Sequence, residues 1–341
     1  MVDILVVGGA GYIGSHMVKL LRKSGYRVVV LDNLSGGFRD AVHDADLVIG
    51  SIADQGLLSS LFAKYRFSAV MHFASYIQVG ESVKEPGKYY ANNLAGTLTL
   101  LDAMRHAAVS RFIFSSTAAV YGTPEYVPMD ERHPKLPINP YGRSKWMVEQ
   151  ALEDYDAAYG LKSICLRYFN AAGADPGGGL GERHNPETHL IPLVLQAASG
   201  RRDVVSIFGT DYDTPDGTCI RDYIHVADLC DAHLLALQRL LNGGESARFN
   251  LGNGYGFSVK EVIETARQVT GRAIAVCYEP RRAGDPPRLV ADSRLAREEL
   301  GWHTQRAGLE IIVADAWEWE QKYPWGDGPP ALTVPTLFTG I

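Results

Sequence analysis

Ile4-Leu5-Val6-Val7-Gly8-Gly9-Ala10-Gly11-Tyr12-Ile13-Gly14-Ser15-His16-Met17 changes its pattern halfway along. The apolar run Ile4–Val7 reads as a strand buried on both faces, and Tyr12–Ser24 reads as a helix. Between them, Gly8, Gly11 and Gly14 recur at every third position. Glycine permits the tight strand-to-helix turn, lets main chain approach a pyrophosphate, and lets the helix pack closely. The start of the helix adds free N–H groups and the positive end of its dipole. Asp32 ends the second strand eighteen positions after Gly14. A carboxylate there accepts hydrogen bonds from the adenosine ribose hydroxyls and repels an added 2′-phosphate. The pattern predicts a site for NAD.

Outward from this turn, short β-branched runs alternate with helical stretches. The strands are read at Ile4–Val7, Arg27–Leu31, Asp46–Ile49, Ala69–Phe73, Arg111–Ser115 and Ser163–Arg167. Helices are read at Tyr12–Ser24, Gln55–Lys64, Asn93–His106 and Tyr141–Tyr159. This order predicts an α/β fold, a Rossmann-type doubly wound parallel sheet with helices on both faces. After Asn170 the texture changes to turn-rich stretches, Ala174–Gly181, Tyr212–Cys219 and Arg281–Arg288, with a helix beginning near Leu190. The expected division is a nucleotide-binding domain over residues 1–170 and a smaller α/β substrate-binding lobe over 171–325. The lobe returns to the main sheet near Phe249–Leu251, and 326–341 form a tail with no assigned role.

Composition narrows the function. A net charge of −6 offers no basic face for nucleic acid. The four cysteines, Cys165, Cys219, Cys230 and Cys277, have no C-x-x-C spacing. They read as buried thiols in a reducing compartment, with neither a metal site nor a disulfide framework expected. No apolar run reaches the roughly 18 residues that span a membrane. The N-terminus enters a strand without the basic and apolar regions of a signal peptide, so a cytoplasmic location is expected.

Tyr141-Gly142-Arg143-Ser144-Lys145 puts a phenol and an ammonium four residues apart, on one face of a helix. A phenol titrates near pH 10, about three units too high for a base at neutral pH. A neighbouring ammonium and a positive nicotinamide ring both favour the phenolate. Ser115-Ser116-Thr117 ends the fifth strand, on the side where open α/β sheets bind ligands. From there Thr117 can hydrogen-bond a reacting sugar oxygen and share its proton with Tyr141.

These features together resemble the extended short-chain dehydrogenase/reductase family, and within it the members that act at C4 of UDP-sugars. The likeness runs from Val2 to about Tyr323. It includes Leu31-Asp32-Asn33-Leu34, His72-Phe73-Ala74, Val79-Gly80-Glu81-Ser82-Val83, Tyr89-Tyr90-Ala91-Asn92-Asn93, Leu166-Arg167-Tyr168-Phe169-Asn170 and Arg221-Asp222-Tyr223-Ile224-His225-Val226. The resemblance implies an NAD pocket lined by Gly8, Gly11, Tyr12, Ile13, Gly14, Asp32, Asn33, Ser51, Ile52, Phe73, Ala74, Ser75, Asn92, Ser115 and Tyr168. Tyr141 and Lys145 lie beside the nicotinamide in that picture. It further implies a UDP-sugar site of Thr117, Tyr141, Asn170, His189, Leu190, Ile207, Phe208, Arg221, Arg282, Asp285 and Leu289. Relatives often carry lysine where Ile77 stands, aspartate at Ser51, asparagine at His189 and serine at Thr117.

By the same resemblance the expected reaction inverts C4 of a UDP-hexose through a 4-keto sugar, with Tyr141 as acid and base. Family dehydratases carry Asp-Glu just after the strand-end hydroxyl. Here Ala118 and Ala119 stand in those places and transfer no proton. Leu289, smaller than the tyrosine of narrow-specificity members, implies room for an N-acetyl group. Alternatives are a UDP-pentose substrate, or an NAD-binding protein without activity, which should have lost Tyr141 or Lys145. A homodimer is expected through the segments near Ala95–His106 and Lys145–Tyr159.

Overall fold

The structure is a computed structural model, and it describes residues 2–282 and 284–323. Residues 326–341, read above as a tail, lie outside the described residues, as does Ala283.

Seven parallel strands form the central sheet. They are β1 Asp3–Val7, β2 Arg27–Asp32, β3 Asp46–Ile49, β4 Phe67–His72, β5 Arg111–Thr117, β6 Lys162–Tyr168 and β11 Ala247–Leu251. The spatial order is β11-β6-β5-β4-β1-β2-β3. The first six strands thus follow the doubly wound order 3-2-1-4-5-6, which reverses direction between β1 and β4. Successive side chains of β1 point to opposite faces. Ile4 and Val6 join a core with Met17 and Leu21 of helix α1 (Tyr12–Lys23). Leu5 and Val7 join Leu58 of α2 (Gln55–Lys64), Leu101 of α5 (Thr97–His106) and Val148 of α6 (Pro140–Tyr159). Both faces are therefore covered, which is why the strands are apolar throughout.

The first face is completed from far along the chain. Leu229, Ala236 and Leu237 of α8 (Val226–Leu241) and Ala296 of α10 (Arg294–Leu300) pack into the same core as α1. A separate core joins Ile191 and Val194 of α7 (Leu190–Ser199), Val262 and Ile263 of α9 (Val259–Thr270), and Ile312 and Val313 of α11 (Leu309–Lys322). Three small sheets lie beside these helices. β7 (Asn170–Ala172) pairs with β10 (Tyr223–His225), and β8 (Val205–Phe208) with β13 (Val276–Glu279). β9 (Ile220–Arg221) lies between β12 (Phe257–Ser258) and β14 (Arg288–Leu289).

Local departures from the sequence reading have identifiable causes. The helix expected from Asn93 begins at Tyr90 as a π-helical stretch to Gly96, and two short helices, α3 (Val79–Lys84) and α4 (Pro86–Tyr89), precede it. A widened turn of this kind displaces side chains from the usual helical rows; here Asn93 is buried in it. Cys165, Cys219 and Cys230 are buried, but Cys277 is not, because β13 belongs to a two-stranded sheet with an open face. Among the described residues, no helix is long and apolar enough to cross a membrane.

Candidate functional site

The glycine turn joins β1 to α1 where the strand order reverses. Gly8 has φ +81, and a Cβ there would stand 2.4 Å from the Ala74 nitrogen. A Cβ at Gly14 would stand 2.1 Å from the Gly8 oxygen. Neither position admits a side chain, so helix, turn and the end of β4 are held at backbone contact. Gly11 is the N-cap of α1, and no side chain caps the first turn. Tyr12 and Ile13 open that turn, and the Tyr12 hydroxyl donates to the Gly173 carbonyl at 2.6 Å.

Asp32 ends β2 beside this turn, 8% exposed. Its Oδ2 accepts the Ala10 N–H at 2.9 Å and its Oδ1 the Leu34 N–H at 2.8 Å. Burial raises its carboxyl above the usual range, and those two hydrogen bonds oppose the rise. Each oxygen retains a further lone pair for a ribose hydroxyl. Asn33 follows, exposed, holding Ser35 through its side-chain oxygen. Ser51 and Ile52 follow β3, with the Ser51 hydroxyl accepting the Ala53 N–H at 3.1 Å. Phe73, Ala74 and Ser75 follow β4, and the N–H groups of Phe73 and Ala74 both donate to the Val7 carbonyl. A glycine-built turn, an uncapped helix start and a carboxylate at the next strand end fit a dinucleotide.

The candidate catalytic groups gather across β5 and α6. Ser115 and Thr117 are buried at the end of β5. The Thr117 hydroxyl accepts the Ala119 N–H at 3.1 Å. Tyr141 and Lys145 occupy the first turns of α6, whose N-cap Asn139 accepts the Gly142 N–H through its side chain. Gly142 meets the Ala119 carbonyl, where a Cβ would stand 2.4 Å away. That close approach sets the start of α6 against the end of β5. Burial pushes the Tyr141 phenol up, and a hydrogen bond with Thr117 works in the opposite direction. Lys145 is 3% exposed, and its Nζ donates to the Ser115 carbonyl at 2.8 Å. Burial pushes its ammonium down to about 7, with Glu149 opposing. Tyr168 shares a very short hydrogen bond with Ser115, across the β5–β6 register.

Supports for this face escaped the sequence reading. Asn93 accepts the Tyr76 N–H at 2.9 Å and donates to the Tyr76 carbonyl at 3.0 Å and to Ser144 at 3.3 Å. It ties the segment after β4 to α6, while the predicted Asn92 donates to Asn93 at 2.9 Å. Glu149, fully buried, receives Arg167 Nη2 at 2.5 Å and the Ser116 hydroxyl at 2.6 Å. Arg167 also donates to the Tyr121 hydroxyl at 2.9 Å, which donates to Asn250 at 2.5 Å. The signal for Glu149 was available, since it lies four residues after Lys145 on the same helix face.

The expected sugar-nucleotide residues come together on the small sheets. Leu289 of β14 pairs with Arg221 of β9, and its side chain packs on the cluster of Ala118, Val120 and Tyr121 beside Thr117. Arg221 donates to the Ile220 and Pro286 carbonyls, both at 2.9 Å, and lies 3.5 Å from Asp285. Arg282 stacks over Phe208, 4.3 Å from the ring centre, and lies 3.9 Å from Asp285. Ile207, next to Phe208, points into the core instead, 2% exposed. Asn170 donates through Nδ2 to the Asp222 carbonyl at 2.9 Å. Asp222 fixes this corner by accepting N–H groups of Asn253, Gly254 and Ala291 at 2.6, 2.9 and 3.0 Å. Burial pushes its carboxyl up to about 6. Leu190 opens α7, and His189 before it turns its Nδ1 onto Glu182.

The model of the NAD dependent epimerase/dehydratase family matches residues 4–252. A UDP-glucose 4-epimerase from Halalkalibacterium halodurans is 53% identical over 323 residues, covering 95% of this chain and 97% of the relative. The crystal structure of UDP-glucose 4-epimerase from Brucella ovis in complex with NAD is 52% identical with a TM-score of 0.91, covering 93% of this chain and 98% of that one. The UDP-Glc/GlcNAc 4-epimerase from Campylobacter jejuni is 44% identical with a TM-score of 0.83, covering 95% and 100%. The chain belongs to the NAD dependent epimerase/dehydratase family.

Proposed function

We propose that this chain interconverts UDP-glucose and UDP-galactose by inverting C4 of the hexose. One observation carries the reading: Thr117, Tyr141 and Lys145 share one face at the carboxyl end of β5, where Ala118 and Ala119 supply no second acid or base. The glycine turn, Asp32 and the ends of β3 and β4 would hold NAD, which when bound would supply a reversible hydride acceptor for C4. Tyr141 takes the proton of the 4-hydroxyl and gives it back after the sugar has turned its other face. Thr117 holds the reacting oxygen against the phenol. Lys145, when charged, offsets the burial that disfavours phenolate. Arg221 and Arg282 grip the diphosphate and Asp285 the ribose, so the ketone stays tethered between the two half-reactions.

The same reading has the enzyme work as a homodimer in the cytoplasm. Met147 and Tyr159 of α6, 41% and 56% exposed, offer apolar surface for a symmetry-related helix.

Incubation of the purified protein with UDP-galactose and NAD should yield UDP-glucose, read by chromatography at equilibrium. Absence of UDP-glucose overturns the assignment. Tyr141→Phe should lower kcat by about 10²–10⁴-fold while leaving bound NAD unchanged.

A further inference from the structure

The loop between Leu180 and α7 folds four chemically distinctive side chains into one place. Glu182, His184, Glu187 and His189 each offer a ligand atom, and these atoms lie within 4.8 Å of one another. The carboxylates are the buried members, with both side chains 5% exposed, whereas His184 is 20% and His189 44% exposed. Glu182 Oε1 lies 3.2 Å from His184 Nδ1 and also contacts His189 Nδ1. Glu187 Oε2 faces His184 Nδ1 at 3.5 Å, while its other oxygen accepts the Thr188 and His189 N–H groups at 2.7 and 2.9 Å.

Two carboxylates removed from water side by side need two compensating positive charges. The neighbouring cations are engaged elsewhere: Arg183 pairs with Asp40, and Lys19 pairs with Asp175. Two imidazolium rings would balance the charge, and so would one dication between neutral imidazoles. The donor set separates candidate ions. Mg²⁺ and Ca²⁺ favour all-oxygen shells, whereas two imidazoles with two carboxylates suit Zn²⁺ and its first-row neighbours. A tetrahedral Zn²⁺ site has bonds of about 2.0–2.2 Å. Closing the present 4.8 Å spread to that size requires side-chain rotation, for which the half-exposed His189 has room.

We propose that Glu182, His184, Glu187 and His189 bind one divalent transition-metal ion, with Zn²⁺ the best match. The ion is structural. It clamps the loop at four points immediately before Leu190, where α7 begins. His184 also meets Tyr12 edge-on, 6.4 Å between ring centres, and the Trp319 indole donates to the Glu182 carbonyl at 3.2 Å. The clamp therefore sets the glycine turn, α11 and the start of α7 in fixed relation.

The test uses the full chain, stripped with a chelator, loaded with Zn²⁺ alone and desalted. Elemental analysis should find one zinc per chain and a Tm raised by several degrees. The His184→Gln/His189→Gln double variant should take up none, and its Tm should ignore zinc. No retained zinc on the wild type, or equal uptake by both proteins, overturns the proposal and leaves imidazolium–carboxylate pairs. Where the double variant does not fold, Co²⁺ on the wild type decides. Intense visible bands of a four-coordinate ion support the site, and the weak spectrum of the hydrated ion overturns it.

Discussion

The glycine turn and the corner proposed for the sugar nucleotide differ in what they are made of. At the turn the contacts are main chain: Gly8 and Gly14 without room for a Cβ, and a helix start that no side chain caps. At the corner they are side chains, Asn170, Arg221, Phe208, Arg282, Asp285 and Leu289, borne on strands of two to four residues and the loops between them. On the proposed reading, main chain would bind what every dinucleotide has in common, and Gly8 and Gly14 tolerate no side chain. On the same reading, side chains would distinguish one sugar nucleotide from another and could be exchanged singly, with graded effects.

The sharpest way to break this contrast is Gly14→Ala. Its methyl would enter the Gly8 carbonyl, so NAD retention should be lost and stability should fall by about 3 kcal/mol. Unchanged Tm and bound NAD would mean that the turn is not the rigid element described.

Lys145, buried against the end of β5, belongs to neither region, and pH is its probe. Its pKa is about 7 in the folded protein against the ordinary 10.5. The unfolded chain therefore binds more protons between those values, so stability rises with pH across that window. Lys145→Met should remove up to about 1.4 kcal/mol per pH unit of that slope. Denaturant unfolding of both proteins at pH 7 and pH 10 measures the difference, and parallel profiles would contradict it.

Arg221→Ala should weaken UDP binding by about 1.5–3 kcal/mol, the worth of hydrogen bonds to a charged group. NAD retention should not change, and Arg221→Lys should fall between, since an ammonium lacks the planar fork. Calorimetry with UDP reads both. The smallest effect is expected at Leu289, where tyrosine should lower the preference for UDP-GlcNAc relative to UDP-glucose by about tenfold. An unchanged ratio of kcat/KM values would show that Leu289 does not border the sugar.

What could be read in advance divides along the same line. Strands β1 to β6 were placed to within two residues, because parallel strands buried on both faces are apolar and glycine turns are local. Tyr141 and Lys145 were visible as a pair because one helical turn aligns them. β9, β12 and β14 were not, since strands of two residues carry no period and exist only through partners far along the chain. Glu149 and Arg167 are eighteen residues apart on different elements, and only folding makes them a buried pair. Asp222 sat inside a recognisable stretch, yet its three N–H donors come from residues 31 to 69 positions away. The four side chains from Glu182 to His189 are close in sequence, but a turn-rich loop has no rule that says which of them converge.

The seventh strand gives the molecule a history as well as a shape. β11 pairs with β6, and about eighty residues must be made after β6 before β11 exists. At roughly 5–20 residues per second on the ribosome, that leaves β6 a bare edge for about 4–16 seconds. Through part of that interval the apolar surface later covered by α8 is also open. The nascent nucleotide-binding half thus offers an unpaired strand to any neighbouring chain. Its vulnerable period ends only when the second half of the protein arrives, so slow codons between residues 168 and 247 would raise the fraction lost to aggregation.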